Sequence, residues 1–191
     1  MLACDVIFTA LDFETTGHVR NQPCLPWQLG MVESKSSQIL RTYSTYLKVP
    51  KEQRFNQYTP GRWAEIRDVL AESQKLTEKW DELSQWLCGR CLVSHNAPVE
   101  RTIIQEAFPL HSFPYWIDTL RIAKKAFPKQ PSYALGDLLA LLNLTATVER
   151  QCPGLAPHDA LYDAVACMTL LNYILTLDGW RNLPCETLMK I

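Results

Sequence analysis

A short apolar run rich in β-branched and aromatic residues, Val6 to Leu11, is followed at once by two carboxylates two positions apart, Asp12 and Glu14. A run of that length and composition reads as a buried strand. Alternate side chains along a strand share a face, so Asp12 and Glu14 project together from its end. Two carboxylates held that close repel one another unless something neutralises them. Hard divalent cations, Mg²⁺ or Mn²⁺, favour such oxygen ligands. The residues that follow, Thr15, Thr16 and Gly17, are small enough for backbone N–H groups to approach a ligand closely.

The rest of the chain supplies a frame for that strand. Trp27 to Val32 and Ile39 to Val49 read as two further strands, the second from its period-two set Tyr43, Thr45, Leu47 and Val49, so Val6 to Val49 is expected to be an antiparallel meander. From Pro60 the spacing turns helical: Trp63, Ile66 and Leu70, then Leu76, Trp80, Leu83 and Leu87, with Gly89 as a stop. A short strand at Cys91 to Ser94, a helix from Ala97 to Phe108, a strand at Tyr115 to Ile117 and a helix from Leu120 to Phe127 follow. Ser132 is placed to cap a helix with the apolar face Leu135, Leu138, Leu139 and Leu142, and Pro157 precedes a long last helix, Ala160 to Leu175. Three strands followed by alternating helices and strands imply an α/β fold, a mixed five-stranded sheet flanked by helices. The 191 residues suit one domain, expected over 1–178 with a C-terminal tail at 179–191.

Two more segments carry chemistry. In His158-Asp159-Ala160-Leu161-Tyr162-Asp163, a loop enters the last helix; Asp159 is placed to cap it, Asp163 sits one turn inside, and His158 precedes it with a side chain suited to taking a proton from water. In Ser94-His95-Asn96-Ala97-Pro98-Val99-Glu100, a strand ends, Asn96 is placed as a helix cap, and Glu100 falls in the first turn.

Together these segments resemble the DnaQ-like exonucleases of the DEDDh branch, the superfamily of the DNA polymerase III proofreading subunit and ribonuclease T. Asp12-Phe13-Glu14-Thr15-Thr16-Gly17 matches the first motif, Leu92-Val93-Ser94-His95-Asn96-Ala97 the start of the second, and His158-x-Ala160-x-x-Asp163 the third. The resemblance implies a ribonuclease H-like fold and 3′–5′ hydrolysis of single-stranded DNA or RNA 3′ ends, releasing nucleoside 5′-monophosphates. It also implies two divalent cations, Mg²⁺ or Mn²⁺, held by Asp12, Glu14 and Asp163, with His158 as general base and Glu100 as the fourth acidic residue. Thr15, Thr16, Gly17, His95 and Asn96 would meet the substrate. The family pattern is His-Asn-x-x-Phe-Asp; here Val99 and Glu100 stand at its last two positions. The extra methylene of glutamate can displace a ligand by about an ångström, enough to slow a reaction ~100-fold, so altered metal preference is expected. A proofreading-type subunit of a DNA polymerase and a weakly active or non-catalytic nucleic-acid-binding module are the alternative roles, and a DNA polymerase or a second copy in a homodimer is the candidate protein partner.

Composition bounds the rest. The net charge of −1 excludes a protein held on nucleic acid by basic surface alone. Seven irregularly spaced cysteines fit reduced thiols better than a disulfide framework. Met1 to Ala10 lacks the basic start of a signal peptide, and no apolar stretch is long enough to span a bilayer, so a cytoplasmic protein without membrane contact is expected. Cys88-Gly89-Arg90-Cys91 follows a helix and precedes a strand, the reverse of a redox motif, and has no second ligand pair for zinc. Trp27 reads as core, Trp63, Trp80 and Trp86 as core or interface, and Asp118 as the cap of the helix after it.

Overall fold

A computed structural model describes residues 2–191, apart from the side chain of Cys4; Met1, the start of the N-terminal stretch read above, lies outside them. The first three strands, β1 (Phe8–Thr15), β2 (Pro26–Lys35) and β3 (Gln38–Tyr46), form the expected antiparallel meander. Two short helices follow, α1 (Arg67–Glu72) and α2 (Trp80–Leu87), each led in by a 3₁₀ turn. Strand β4 (Cys91–Ser94), helix α3 (Pro98–Ala107), strand β5 (Trp116–Asp118) and helix α4 (Thr119–Ala126) come next. The chain closes with α5 (Leu135–Leu141), α6 (Thr145–Gln151), α7 (Ala160–Ile174) and α8 (Cys185–Met189). The sheet order is β3-β2-β1-β4-β5, with β4 and β5 parallel to β1. This is the mixed five-stranded, ribonuclease H-like α/β architecture expected from the sequence.

The two faces of β1 build two cores, because its side chains alternate. Phe8 and Ala10 face α7, joining Val165, Met168 and Leu171 under the helices of the C-terminal half. Leu11 and Phe13 face the other way, against Leu83, Trp86 and Leu87 of α2 and Ile104 of α3. Asp12 and Glu14 therefore continue the row of Phe8 and Ala10. α7 is apolar nearly all round, with Ala164, Val165, Ala166, Leu170 and Leu171 fully buried, as a central helix requires.

Several local expectations change. β1 runs on through Thr15, so Asp12 and Glu14 lie within the strand; β2 pairs with it there, Asp12 opposite Gly30 and Glu14 opposite Gln28. β3 ends at Tyr46, where Leu47 turns its N–H to the Trp27 carbonyl and Val49 its own to Leu70. Asn96 is not a cap. It sits at φ 75°, its N–H bonded to the Asp118 carboxylate, and α3 starts with Pro98, which has no N–H to satisfy. Ser132 forms a turn, accepting from the Ala134 N–H, instead of capping α5. Asp118 and Asp159 do cap α4 and α7. The segment set apart as a tail carries α8, whose Cys185 and Leu188 are buried in the main core, and Pro184 bridges to Leu2. Cys91 meets Cys185, sulfur to sulfur at 3.6 Å, while Cys88 is exposed. No described helix is long and apolar enough to cross a membrane.

Candidate active site

The site forms where β1 loses its neighbour. β4 pairs with β1 only as far as Ala10, then turns away at Ser94, whose hydroxyl donates to the Leu11 carbonyl at 2.9 Å. Beyond that point β1 has β2 on one side and a crevice on the other, outside the carboxyl end of β4. In open α/β sheets, ligands bind at such places. Asp12 lines the cleft there.

β2 seats the last helix on the same spot. A Cβ on Gly30 would lie 2.2 Å from the backbone of Ala160 and Leu161, so only glycine lets α7 begin directly above Asp12. One pleat along, Gln28 fastens the helix end: its Nε2 donates to Asp159 Oδ2 at 2.9 Å, and its Oε1 accepts from the Ala160 N–H at 3.3 Å. Asp159 Oδ1 accepts from the Leu161 and Tyr162 N–H groups. Just ahead, His158 adopts φ 70°, and its N–H donates to Asp163 Oδ2 at 3.0 Å. The kink turns the histidine out to solvent beside Asp163.

Glu14, His158 and Asp163 thus each offer a ligand atom within 4.8 Å of the others. Asp12 stands beside them in a cleft of about 590 Å³ that His95, Leu135, Pro157, His158 and Asp163 also line. The tight group holds His158 where the sequence pattern implied Asp12. Burial, then the charges of Asp163, Glu100, Glu14 and Asp159, push the Asp12 carboxyl well above the usual range. Burial, Asp163 and Asp159 raise Glu14 to about 8. Burial also raises Asp163, partly offset by the His158 N–H and side chain. Glu100 is 5% exposed and Oε2 has no hydrogen-bond partner; burial lifts it to about 7, against its own backbone hydrogen bond and with a further push from Asp118. Among the described residues, none of these four carboxylates pairs with lysine or arginine. Crowded, buried oxygen donors with no internal countercharge, and a histidine at their edge, fit one or more hard divalent cations.

The other expected site residues fall into two groups. Thr15 and Gly17 border a second pocket of about 260 Å³ beside Glu14, walled by Asn56, Tyr58 and Thr59. Thr16 is fully buried and braces the loop: its carbonyl accepts from the Asn56 N–H and the Thr59 hydroxyl, and its Oγ1 from the Leu25 N–H. Gly17 sits at φ 69°, where a Cβ would press on Thr59 and Asn56. His95 is held at both ring nitrogens, by the Thr119 hydroxyl at 3.0 Å and the Tyr133 carbonyl at 2.9 Å, so its polar edge is spent on the fold. Asn96 is exposed beside it. Trp27 is core, its indole donating to the Thr15 carbonyl. Sequence reading missed Gly30 and Gln28 as the seat of α7, and the Asn56–Thr59 loop as a pocket wall. The one available signal was the isolated glycine inside a strand pattern, which marks a close backbone approach.

A family model for the RNase T exonucleases matches residues 9–171. The chain belongs to this exonuclease family, the DnaQ-like group that its motifs resemble. Among curated relatives, the 3′-5′ exonuclease DinG of Staphylococcus aureus (strain MRSA252) is 24% identical over 188 residues, covering 96% of this chain and 20% of that protein. The family domain described here thus spans about a fifth of the length of the curated relatives it matches. Among solved structures, Exonuclease X in complex with 5′ overhanging duplex DNA superposes with TM-score 0.72 at 22% identity, covering 96% of this chain and 98% of that one. The nuclease domain of 3′hExo, a DEDDh family member bound to rAMP, gives the same TM-score at 15% identity, with the same coverage. Both share the fold of this exonuclease domain.

Proposed function

We propose that this domain is a divalent-metal-dependent 3′–5′ exonuclease that removes nucleoside 5′-monophosphates from single-stranded 3′ ends of DNA or RNA. The observation that carries this reading is the convergence of Asp12, Glu14, Asp163 and His158 where α7 meets β1, with no lysine or arginine paired to the carboxylates among the described residues. Asp12, Glu14 and Asp163 would hold the cations, with the orphaned oxygen of Glu100 available as a fourth acidic ligand. When bound, such ions stabilise the charge developing on the phosphoryl oxygens and leaving oxygen, and make water a better nucleophile near neutral pH.

The chain's own residues do the rest. Asp163 accepts the His158 N–H, which fixes the kinked backbone that carries the exposed imidazole at the cleft wall. His158 takes a proton from the attacking water. The water oxygen bonds to phosphorus, the bond to the 3′ oxygen of the preceding nucleotide breaks, and that oxygen takes a proton from solvent to become the new 3′ hydroxyl. The pocket beside Glu14 receives the departing nucleotide, bordered by Thr15, Gly17 and the exposed ring of Tyr58. The test is digestion of matched 5′-labelled DNA and RNA oligonucleotides with Mg²⁺, Mn²⁺ or EDTA. One-nucleotide ladders from the 3′ end are expected with metal and none with EDTA; an Asp12→Ala variant that cuts as well as the parent would sink the reading.

A further inference from the structure

Helix α4, which follows β5, carries a basic face that the hydrolytic reading does not use. Thr119, Ile122 and Ala123 turn α4 into the core, and its outer face carries Arg121, Lys124 and Lys125; Lys129 follows in the next turn. All four are exposed. No Asp or Glu occurs between positions 119 and 136, and none of the four forms an ion pair among the described residues. In a chain of net charge −1, four cations thus fall within nine residues that hold no acid.

That stretch is anchored to the site. α4 starts at Asp118, whose carboxylate also holds the Asn96 N–H at the mouth of β4. Lys124 Nζ lies 5.9 Å from the centre of the Tyr133 ring, and the Tyr133 carbonyl is hydrogen-bonded to His95, which lines the cleft with Asp12 and His158. Lys124 thus ties the ridge to the cleft wall at Tyr133 and His95, close enough for its charge to act on His95. The pocket of Tyr58 and Thr59 is built on a different element, against β1.

The charges pose a problem that this placement answers. Four carboxylates repel a polyanion, and a metal-filled site grips only the phosphate being cut. The strand behind it carries one negative charge per nucleotide and needs its own counterions. We propose that the α4 ridge, Arg121, Lys124, Lys125 and Lys129, holds the phosphodiester backbone of the single strand on the 5′ side of the scissile bond. This rests on the nuclease reading for its geometry, but the ridge itself can be tested without turnover.

The experiment compares the parent with an Arg121→Ala/Lys124→Ala/Lys125→Ala variant and a conservative Arg121→Lys control, all checked for equal melting temperature. Binding of 5′-fluorescein oligo(dT) is read by fluorescence anisotropy in EDTA across a salt series. Loss of three single-strand phosphate contacts is expected to weaken binding ~10–100-fold at low salt and to flatten the log–log salt slope by about 2. Arg121→Lys should keep the parent slope. With Mn²⁺, KM for oligo(dT) should rise, while hydrolysis of thymidine 5′-(p-nitrophenyl phosphate), which has no upstream strand, should stay within about 2-fold. Unchanged affinity and slope in the triple variant would overturn the proposal, as would parent binding of poly(glutamate) as tight as oligo(dT), which would mark a docking face for acidic protein. A parent that binds oligo(dT) through the ridge yet cleaves neither substrate would leave the ridge standing and remove the exonuclease reading.

Discussion

Two buried acidic groups sit on adjacent strands of the same sheet and behave in opposite ways. Glu33 on β2 is 4% exposed, yet its carboxyl lies below the usual range: burial alone would raise it, but hydrogen bonds from Arg41 at 2.6 Å and Arg90 at 3.0 Å outweigh that. Glu14 on β1, 7% exposed, is pushed up to about 8 by burial first, and then by the charges of Asp163 and Asp159 where Glu33 has arginines. The chain supplies its own cations to one acid and withholds them from the other. Glu33 stabilises the fold by itself. The cluster at Glu14 is left with a charge deficit that only something outside the chain can fill, and that separates a structural ion pair from a site.

Four experiments would break or sharpen this contrast. The largest effect is expected from Asp163→Asn, which keeps the acceptor for the His158 N–H but removes a charge from the cluster. Nuclease activity should fall by at least about 10³-fold, equivalent to the several kcal/mol that a bound cation supplies. In EDTA the same variant should melt a few degrees higher than the parent, since a like charge has gone; a lower melting temperature would contradict the crowding argument. Next is Gly30→Ala. A Cβ at 2.2 Å from the α7 backbone forces helix and strand apart, and a loss of about 3 kcal/mol is expected by urea titration, with activity reduced even where the variant stays folded.

Glu33→Gln should lower stability by about 1–2 kcal/mol and leave turnover unaltered, the figure being modest because Arg41 and Arg90 remain partly exposed. A variant that lost activity at unchanged stability would reverse the contrast. The smallest effect concerns pH. A depressed carboxyl contributes stability that is present above its unfolded value, near 4.5, and is lost as pH falls below it; Glu33→Gln should remove that part of the acid-side slope. The raised carboxyls have the opposite sign. Between the unfolded value near 4.5 and about 8, folded Glu14 binds more protons than unfolded Glu14, so metal-free protein should lose stability as pH rises through that window. Added Mn²⁺ should flatten the loss, and a metal-independent melting curve across that range would refute the charge-deficit picture.

Much of the frame was legible because it rests on periodicity. The strand pattern around Val6–Leu11, the meander and the long apolar helix from Ala160 all follow from which residues must leave water. Asp12 and Glu14 could be placed on one face for the same reason, and Asp159 and Asp118 as caps from their chemistry alone. Where local reading failed, a distant partner had won. Asn96 has the right side chain for a cap, but Asp118, twenty-two residues on, takes its N–H and leaves the helix to start on proline. β1 outlasts its apolar run because β2 pairs with it through Gln28, and His95 is consumed by Thr119 and Tyr133.

The sequence by itself determined the parts: a buried strand with two carboxylates in phase, a helix that must be central because it is apolar on every side, and the motifs of an exonuclease family. Their assembly into a site was decided by tertiary structure. Gly30 lets Ala160 rest on β2, Gln28 clamps Asp159, and the early end of β4 opens the crevice beside Asp12. These are contacts between residues as much as 132 positions apart. Patterning fixes which face a side chain takes, but close backbone approach and unneutralised charge exist only once distant segments share the same few ångströms.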